Sequence, residues 1–377
     1  MISDGLIYKF YYQWWKNIDK QIFFLITLLF IIGLFFSLVS TSLIASDKLD
    51  TNSYFFFFKH LIYILIGICI IFIFSSISAD QLFKYSIILF FISLISLFLV
   101  PIIGIEVKGS KRWIDLFFLP RFQPIEILKP FLIIMLATII CSKKSSNIYF
   151  KYFLSIILVS IISLFLVMQP DIGQTLLIVF SLTVLIFTSG VNIFFLLGFS
   201  FFMLVFLTYL IIYVPKFDYI QDRIFSFFNR DTGTHNFQSD KAIESITSGG
   251  FFGKGIGEGI LKNRVPEAHT DYIISVISEE FGVVAIILIL ILFLVLIYMV
   301  SKRINSHKNE KIKLILIGCV SLILMQATIH IGVNIRLFPT TGMTLPFVSY
   351  GGSSIVGVSI LSGIILNLTK RNISHLG

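Results

Sequence analysis

Long apolar windows alternate along the chain with short polar clusters. A helix needs about 20 apolar residues to cross the hydrocarbon core of a bilayer. Ten stretches approach or exceed that length: 22–44, 55–78, 82–105, 125–141, 152–168, 172–188, 193–214, 273–300, 312–334 and 351–369. The pattern predicts an all-α polytopic integral membrane protein with ten transmembrane helices, forming one membrane domain over 1–377. Only Gln169-Pro170-Asp171 separates the fifth and sixth stretches. With Gly173 just beyond, the proline favours a tight reversal there over one kinked helix. The other connections are short except 215–272, about 58 residues, far beyond the usual length of a structureless connection. This segment reads as a large extracytoplasmic loop. Phe225, Phe227, Phe228, Phe251 and Phe252 within it favour order over disorder.

Composition narrows the class. Hydrophobic residues make up 57% of the chain and charged residues 13%, against about 25% charged in soluble domains. Polar surface is too scarce to cover a soluble enzyme. Cys69, Cys141 and Cys319 lie in or beside apolar runs and read as small buried residues rather than a redox pair. The first apolar run begins late and is too long for the core of a cleavable signal peptide.

The net charge of +9 needs its own explanation. With the N-terminus placed inside, the inner side carries fourteen basic residues and the outer segments thirteen, while Lys59 and Lys129 fall within spans. Lys143-Lys144, Lys302-Arg303 and Lys370-Arg371 each follow a span directly, which favours both termini on the cytoplasmic side. Acidic residues separate the faces further: four inside against thirteen outside, leaving the outer face neutral overall. Thirteen outer cations exceed what topology requires and suggest an anionic ligand there.

Several stretches could carry chemistry. In Pro266-Glu267-Ala268-His269-Thr270-Asp271, the aspartate stands at the outer mouth of the eighth span. It reads either as an N-cap, shared with Thr270, or as a general base held at the membrane surface. Glu279 and Glu280 further along read as a buried network or as the lining of a substrate cavity. Lys108, Lys111 and Arg112, with Gly109 between, form either a solvated basic turn or a phosphate site. Glu126 and Lys129 are i,i+3 neighbours, an internal ion pair or a lysine facing a lipid-linked diphosphate. Residues 334–354 combine prolines, glycines and hydroxyls, Ser349 and Ser353 among them, at membrane depth. Such a segment is tolerated only where protein buries it or a cavity hydrates it, so it predicts a re-entrant, non-helical site. There is no P-loop, HExxH or nucleophile elbow, no His/Cys cluster with metal-ligand spacing, and nothing that points to nucleic acid.

At these residues the chain resembles the SEDS family (shape, elongation, division and sporulation), the group of FtsW and RodA. The resemblance rests on KGSKRWI at 108–114, QPDIG at 169–173, SGGFFGKGIGEG at 248–259, PEAHTDYI at 266–273 and PTTGMTLPFVSYGGSS at 339–354. The last two are worded more like the division-type branch. The resemblance implies a peptidoglycan glycosyltransferase of the bacterial inner membrane, acting at the division septum on lipid II. It also implies a class B penicillin-binding protein as transpeptidase partner, other divisome proteins, and surrounding membrane lipid. In that mechanism Asp271 is the catalytic base. Lys108, Lys111, Arg112, Glu126, Lys129, Asp171, Glu267, His269, Arg336, Ser349 and Ser353 are the expected substrate-binding residues, with Lys111, Arg112 and Lys129 stabilising the leaving diphosphate. Asp271, Asp171 and Glu267 are placed to bring in a divalent cation, Mg or Mn, with that diphosphate; no metal site is assigned.

The chain departs from the family pattern in three places. Lys111-Arg112-Trp113 stands where the family commonly has Arg-Arg-Trp, and Ile125 replaces a serine. Thr341 occupies a position where many division-type members have lysine, for which Arg336 is the expected substitute. Two other classes remain open: a lipid II flippase, and a scaffold that only recruits the transpeptidase.

Overall fold

A computed structural model describes residues 2–40, 54–107, 110–116, 119–143, 147–213, 218–228, 234–261 and 265–370. Among these it contains thirteen helices and three short strands. A helix occupies each of the apolar stretches: α2 (Lys20–Ser40), α3 (Phe55–Ser76), α4 (Ala79–Ile103), α5 (Pro124–Ile140), α6 (Ile148–Met168), α7 (Ile172–Thr188), α8 (Ile193–Tyr213), α11 (Ile273–Ser306), α12 (Glu310–Asn334) and α13 (Gly352–Leu368). α1 (Ile2–Asn17) precedes them. Helices α9 (Asp218–Phe228) and α10 (Thr234–Gly249) give order to the long loop. Among the described residues, α2, α3, α4, α6, α11 and α12 are long and apolar enough to cross a membrane, and α7 and α13 are shorter apolar helices.

Burial sorts the helices into a centre and a periphery. α5 and α13 are apolar nearly all round and buried nearly all round, as a central helix must be. α3 and α4 instead expose a face of large apolar side chains, Ile62, Leu65 and Ile73 on one and Ile88, Ile92 and Ile95 on the other. A row of that size in water would be an association surface; against lipid it is the expected outer wall. The expected reversal at Gln169-Pro170-Asp171 is present, and it lays α6 and α7 side by side.

Capping and long-range polar contacts fix the two ends of the bundle. Asp19 accepts from the Gln21 N–H at 3.1 Å, capping α2, and pairs with Arg303 at 2.6 Å near the end of α11. Trp14 Nε1 donates to Ser75 Oγ at 2.8 Å. Asn367, near the end of α13, donates to the Phe74 and Ile77 carbonyls at 2.8 Å each. Residues 17 and 368 therefore share one end of the bundle. Asp271 stands at the other.

Two features depart from the helical reading. The strands β1 (Ile105–Val107), β2 (Ser110–Leu116) and β3 (Leu119–Phe122) pair as an antiparallel meander. The alternation in β2 explains it: Lys111 is exposed and Ile114 is buried, so the ribbon keeps one face on the bundle. Secondly, α11 is broken at Gly282, whose φ of 74° and ψ of −176° only glycine adopts freely.

The segment 335–351 is non-helical, as expected of a re-entrant stretch, and is largely buried from Thr341 to Ser349. It reaches well down α2. A Cβ on Gly33 would lie 2.4 Å from the Phe347 carbonyl oxygen, and the Phe347 ring meets Phe30 edge-on at 5.3 Å.

Candidate functional site

Asp271 sits in a tight turn whose hub is the Glu267 carbonyl. That oxygen accepts from the N–H groups of Thr270, Asp271 and Tyr272 at 3.0, 3.1 and 3.3 Å. The Glu267 carboxylate takes the Thr270 hydroxyl at 3.2 Å, so both of its polar groups serve the turn. The expected N-cap by Thr270 or Asp271 is not what forms. Tyr272 is the N-cap residue, and its side chain makes no cap hydrogen bond. Asp271 directly precedes it. Its backbone is fixed from α12, where Asn334 Nδ2 donates to the Asp271 carbonyl at 3.0 Å and to the His330 carbonyl at 2.8 Å.

Arg112 faces this carboxylate across Gly342. A methyl group built on Gly342 would lie 3.6 Å from Asp271 Oδ2 and 4.0 Å from Arg112 Nη1. The glycine, at φ 70°, leaves that gap unfilled. Arg112 is oriented by the turn before α7: Nε donates to the Gln169 carbonyl at 3.0 Å, Nη2 to the Pro170 carbonyl, and Nη1 lies 3.9 Å from Asp171 Oδ1. Asp171 caps α7 through the Gln174 N–H and accepts from Gln123 Nε2 at 2.8 Å. Burial pushes the Asp171 carboxyl above the usual carboxylate range, and the Arg112 guanidinium pulls it back.

The expected cations do not converge as a group. Lys111 and Arg112 are adjacent on β2 and so point to opposite faces; Lys111 is exposed, away from Asp271. Lys108 lies outside the described residues. Lys129 is buried rather than open to the outer mouth: Nζ pairs with Glu126 at 2.9 Å and donates to Gln326 Oε1 at 3.1 Å. Glu126 in turn accepts from Gln174 Nε2 at 2.5 Å. One turn of helix places acid and base together, and neutral amides from α7 and α12 complete the set. Gln326 also donates to the Thr344 carbonyl at 3.1 Å, joining this pair to the re-entrant segment.

The remaining expected residues hold the frame. His269 packs its ring 4.7 Å from Phe56, and its carbonyl accepts from the Tyr350 N–H at 3.1 Å. Ser349 Oγ accepts from the Leu345 N–H at 2.9 Å, and Ser353 Oγ from the Gln123 N–H at 2.9 Å. Arg336 pairs with Asp240 on α10, tying the re-entrant segment to the long loop, while Thr341 is buried. That pairing gives Arg336 a tether of its own, apart from the cation role expected of it. Glu279 resolves toward the buried network, at 0% exposure.

Four amides, Gln123, Gln174, Gln326 and Asn334, tie neighbouring elements together around the site. Three of them could have been found: an Asn or Gln inside an apolar stretch must find a partner. Among the described residues, no three His, Cys, Asp or Glu side chains gather into a group able to hold a metal ion.

Known proteins share this fold. The FtsW/RodA/SpoVE model, described as a cell cycle protein, matches residues 19–373. A probable peptidoglycan glycosyltransferase FtsW of Haemophilus influenzae is 31% identical over 94% of this chain and 91% of its own length. A protein of the same description from Nitrosomonas europaea is 34% identical over 92% of each. Among solved structures, a chain of a peptidoglycan synthase complex superimposes with a TM-score of 0.74 at 24% identity, covering 93% of this chain and 97% of its own. Rod shape determining protein RodA of Thermus thermophilus does so with a TM-score of 0.66 at 24% identity, over 94% and 97%.

Proposed function

The chain belongs to the FtsW/RodA/SpoVE family of cell cycle proteins, and from that premise we propose that it is a peptidoglycan glycosyltransferase that polymerises lipid II during division. The observation that carries this reading is the facing pair at the bundle mouth: the Asp271 carboxylate and the Arg112 guanidinium, the latter held by three contacts, on either side of Gly342. Asp271 is the general base. It takes the proton of the acceptor sugar hydroxyl as that oxygen attacks the anomeric carbon of the donor chain. The new glycosidic bond inverts that carbon, and the bond to undecaprenyl diphosphate breaks with its electron pair going to the diphosphate. Arg112 supplies positive charge where the leaving group gains negative charge, in an orientation set before the reaction. A lipid-linked donor arrives already activated, which accords with a chain carrying no nucleotide-binding motif.

The orientation follows from this reading. Ten helices cross the inner membrane, both termini are cytoplasmic, Asp271 opens to the outer face at the septum, and a class B penicillin-binding protein crosslinks the product. The test is polymerisation of fluorescent lipid II by purified protein, with and without that partner. Asp271→Asn should lower the rate by about 10²–10⁴-fold with unchanged thermal unfolding. An Asp271→Asn protein that polymerises at the wild-type rate, or one that only moves lipid II between leaflets, would favour the flippase reading.

A further inference from the structure

The break in α11 is repaired by a segment of the long loop. An unbroken helix would pair the carbonyls of Glu279 and Glu280 with the N–H groups of Val283 and Val284. At Gly282 both bonds are lost. The Gly-rich segment 249–261 lies across the gap as a strap and satisfies all four groups. Lys254 N donates to the Glu279 carbonyl at 2.9 Å and Gly255 N to the Glu280 carbonyl at 3.0 Å. In return, Val283 N donates to the Gly250 carbonyl at 3.1 Å and Val284 N to the Phe251 carbonyl at 3.3 Å. The fit is backbone against backbone. A Cβ on Gly282 would lie 2.1 Å from the Phe251 oxygen, and one on Gly253 2.1 Å from the Glu280 oxygen.

One side chain fastens both halves of this splice. The Glu279 carboxylate accepts from Leu261 N at 2.9 Å, from Ser245 Oγ at 3.0 Å and from Lys254 Nζ at 3.4 Å. It stands on the stub 273–281, every residue of which up to Glu280 is buried. The stub begins two residues after Asp271. Severed from the rest of α11 at Gly282, it is held by the strap and α10 on one side, by Asn334 through the Asp271 carbonyl, and by Phe281 against Phe35 and Phe36 of α2.

We infer that Glu279 is a positioning residue for the reaction: by pinning the strap across the helix break, it sets the stub and therefore the Asp271 carboxylate. This rests on the proposed role of Asp271 and extends it. It also makes the long loop a structural component of the site.

The test uses full-length protein in nanodiscs, with hydrogen exchange of peptides 249–261 and 265–273 read beside lipid II kinetics. In Glu279→Ala both peptides should exchange at least about tenfold faster. kcat should fall on the order of tenfold or more while KM stays within about twofold, since a slightly misplaced base costs rate rather than binding. Glu279→Gln keeps an oxygen for Leu261 N and turns its amide NH2 toward Ser245 Oγ, which can accept it while donating to the Ser275 carbonyl, and should stay within about threefold of wild type on each measure. Leu261→Pro deletes the donating N–H from the strap side, and should reproduce the alanine pattern even where Glu279→Ala does not fold. Unchanged kcat in a variant whose strap exchanges freely overturns the inference, as does unaltered exchange at 265–273. If wild type and Asp271→Asn prove equally inactive, the glycosyltransferase reading fails instead, and protection at 265–273 in Glu279→Ala still decides the positioning role.

Discussion

Two of the buried carboxylates of this bundle, Glu126 and Glu279, are neutralised in different ways. Glu126 has its counter-charge one turn away on the same helix, in Lys129, with Gln174 and Gln326 added from packed neighbours. Glu279 has backbone and side-chain donors from a loop 18 to 34 residues away in sequence. The Glu126–Lys129 pair itself is assembled as soon as α5 is helical, before the amides join it. The second set exists only while the strap is docked. The bundle interior is thus self-sufficient, and the floor of the candidate site depends on an external segment.

The largest effect should come from breaking the self-sufficient pair. Lys129→Met leaves Glu126 as an uncompensated buried charge and should destabilise by about 3–5 kcal/mol, read as a loss of thermal stability in detergent. Replacing both partners, Glu126→Leu with Lys129→Met, should recover most of that loss, because two buried charges are removed together. Next comes Gly282→Ala. A side chain at this backbone geometry costs about 1–3 kcal/mol and collides with the strap. Here the signature should be faster proteolysis at Lys254, with the α5 core still protected from hydrogen exchange. The smallest effect should follow Lys254→Ala. Its side chain is 36% exposed, so loss of the ion pair should cost less than about 1 kcal/mol, while the Lys254 backbone donor remains. A Lys254→Ala loss as large as that of Lys129→Met would erase the distinction between the two clusters.

Much of the fold is legible in the chain itself. Apolar windows mark where helices form, and the Pro- and Gly-rich stretch after Asn334 marks backbone that cannot be helical. Lys129 was ambiguous for a physical reason. The i,i+3 spacing to Glu126 establishes that the two meet, but not whether the pair faces a cavity or the interior, since that depends on Gln174 and Gln326 from elsewhere in the chain. The β1–β3 meander escaped notice because strands of three to seven residues carry too few alternating positions to stand out beside long apolar runs. The break at Gly282 is hidden for the opposite reason. Apolar residues run on past it without interruption, and only the strap, distant in sequence, makes the break stable.

The Ser353–Gln123 hydrogen bond joins residues 230 positions apart, which has a consequence for biosynthesis. At about 5–20 residues per second, the α5 helix is complete well over ten seconds before α13 leaves the ribosome. Until α12 and α13 have followed, Lys129 lacks Gln326, Asp271 lacks Asn334, and the start of α5 lacks Ser353. The nascent chain must therefore hold a half-finished polar interior within the membrane or beside the insertion machinery, and only the last helix closes it. Newly made molecules are inert by construction until translation is nearly over.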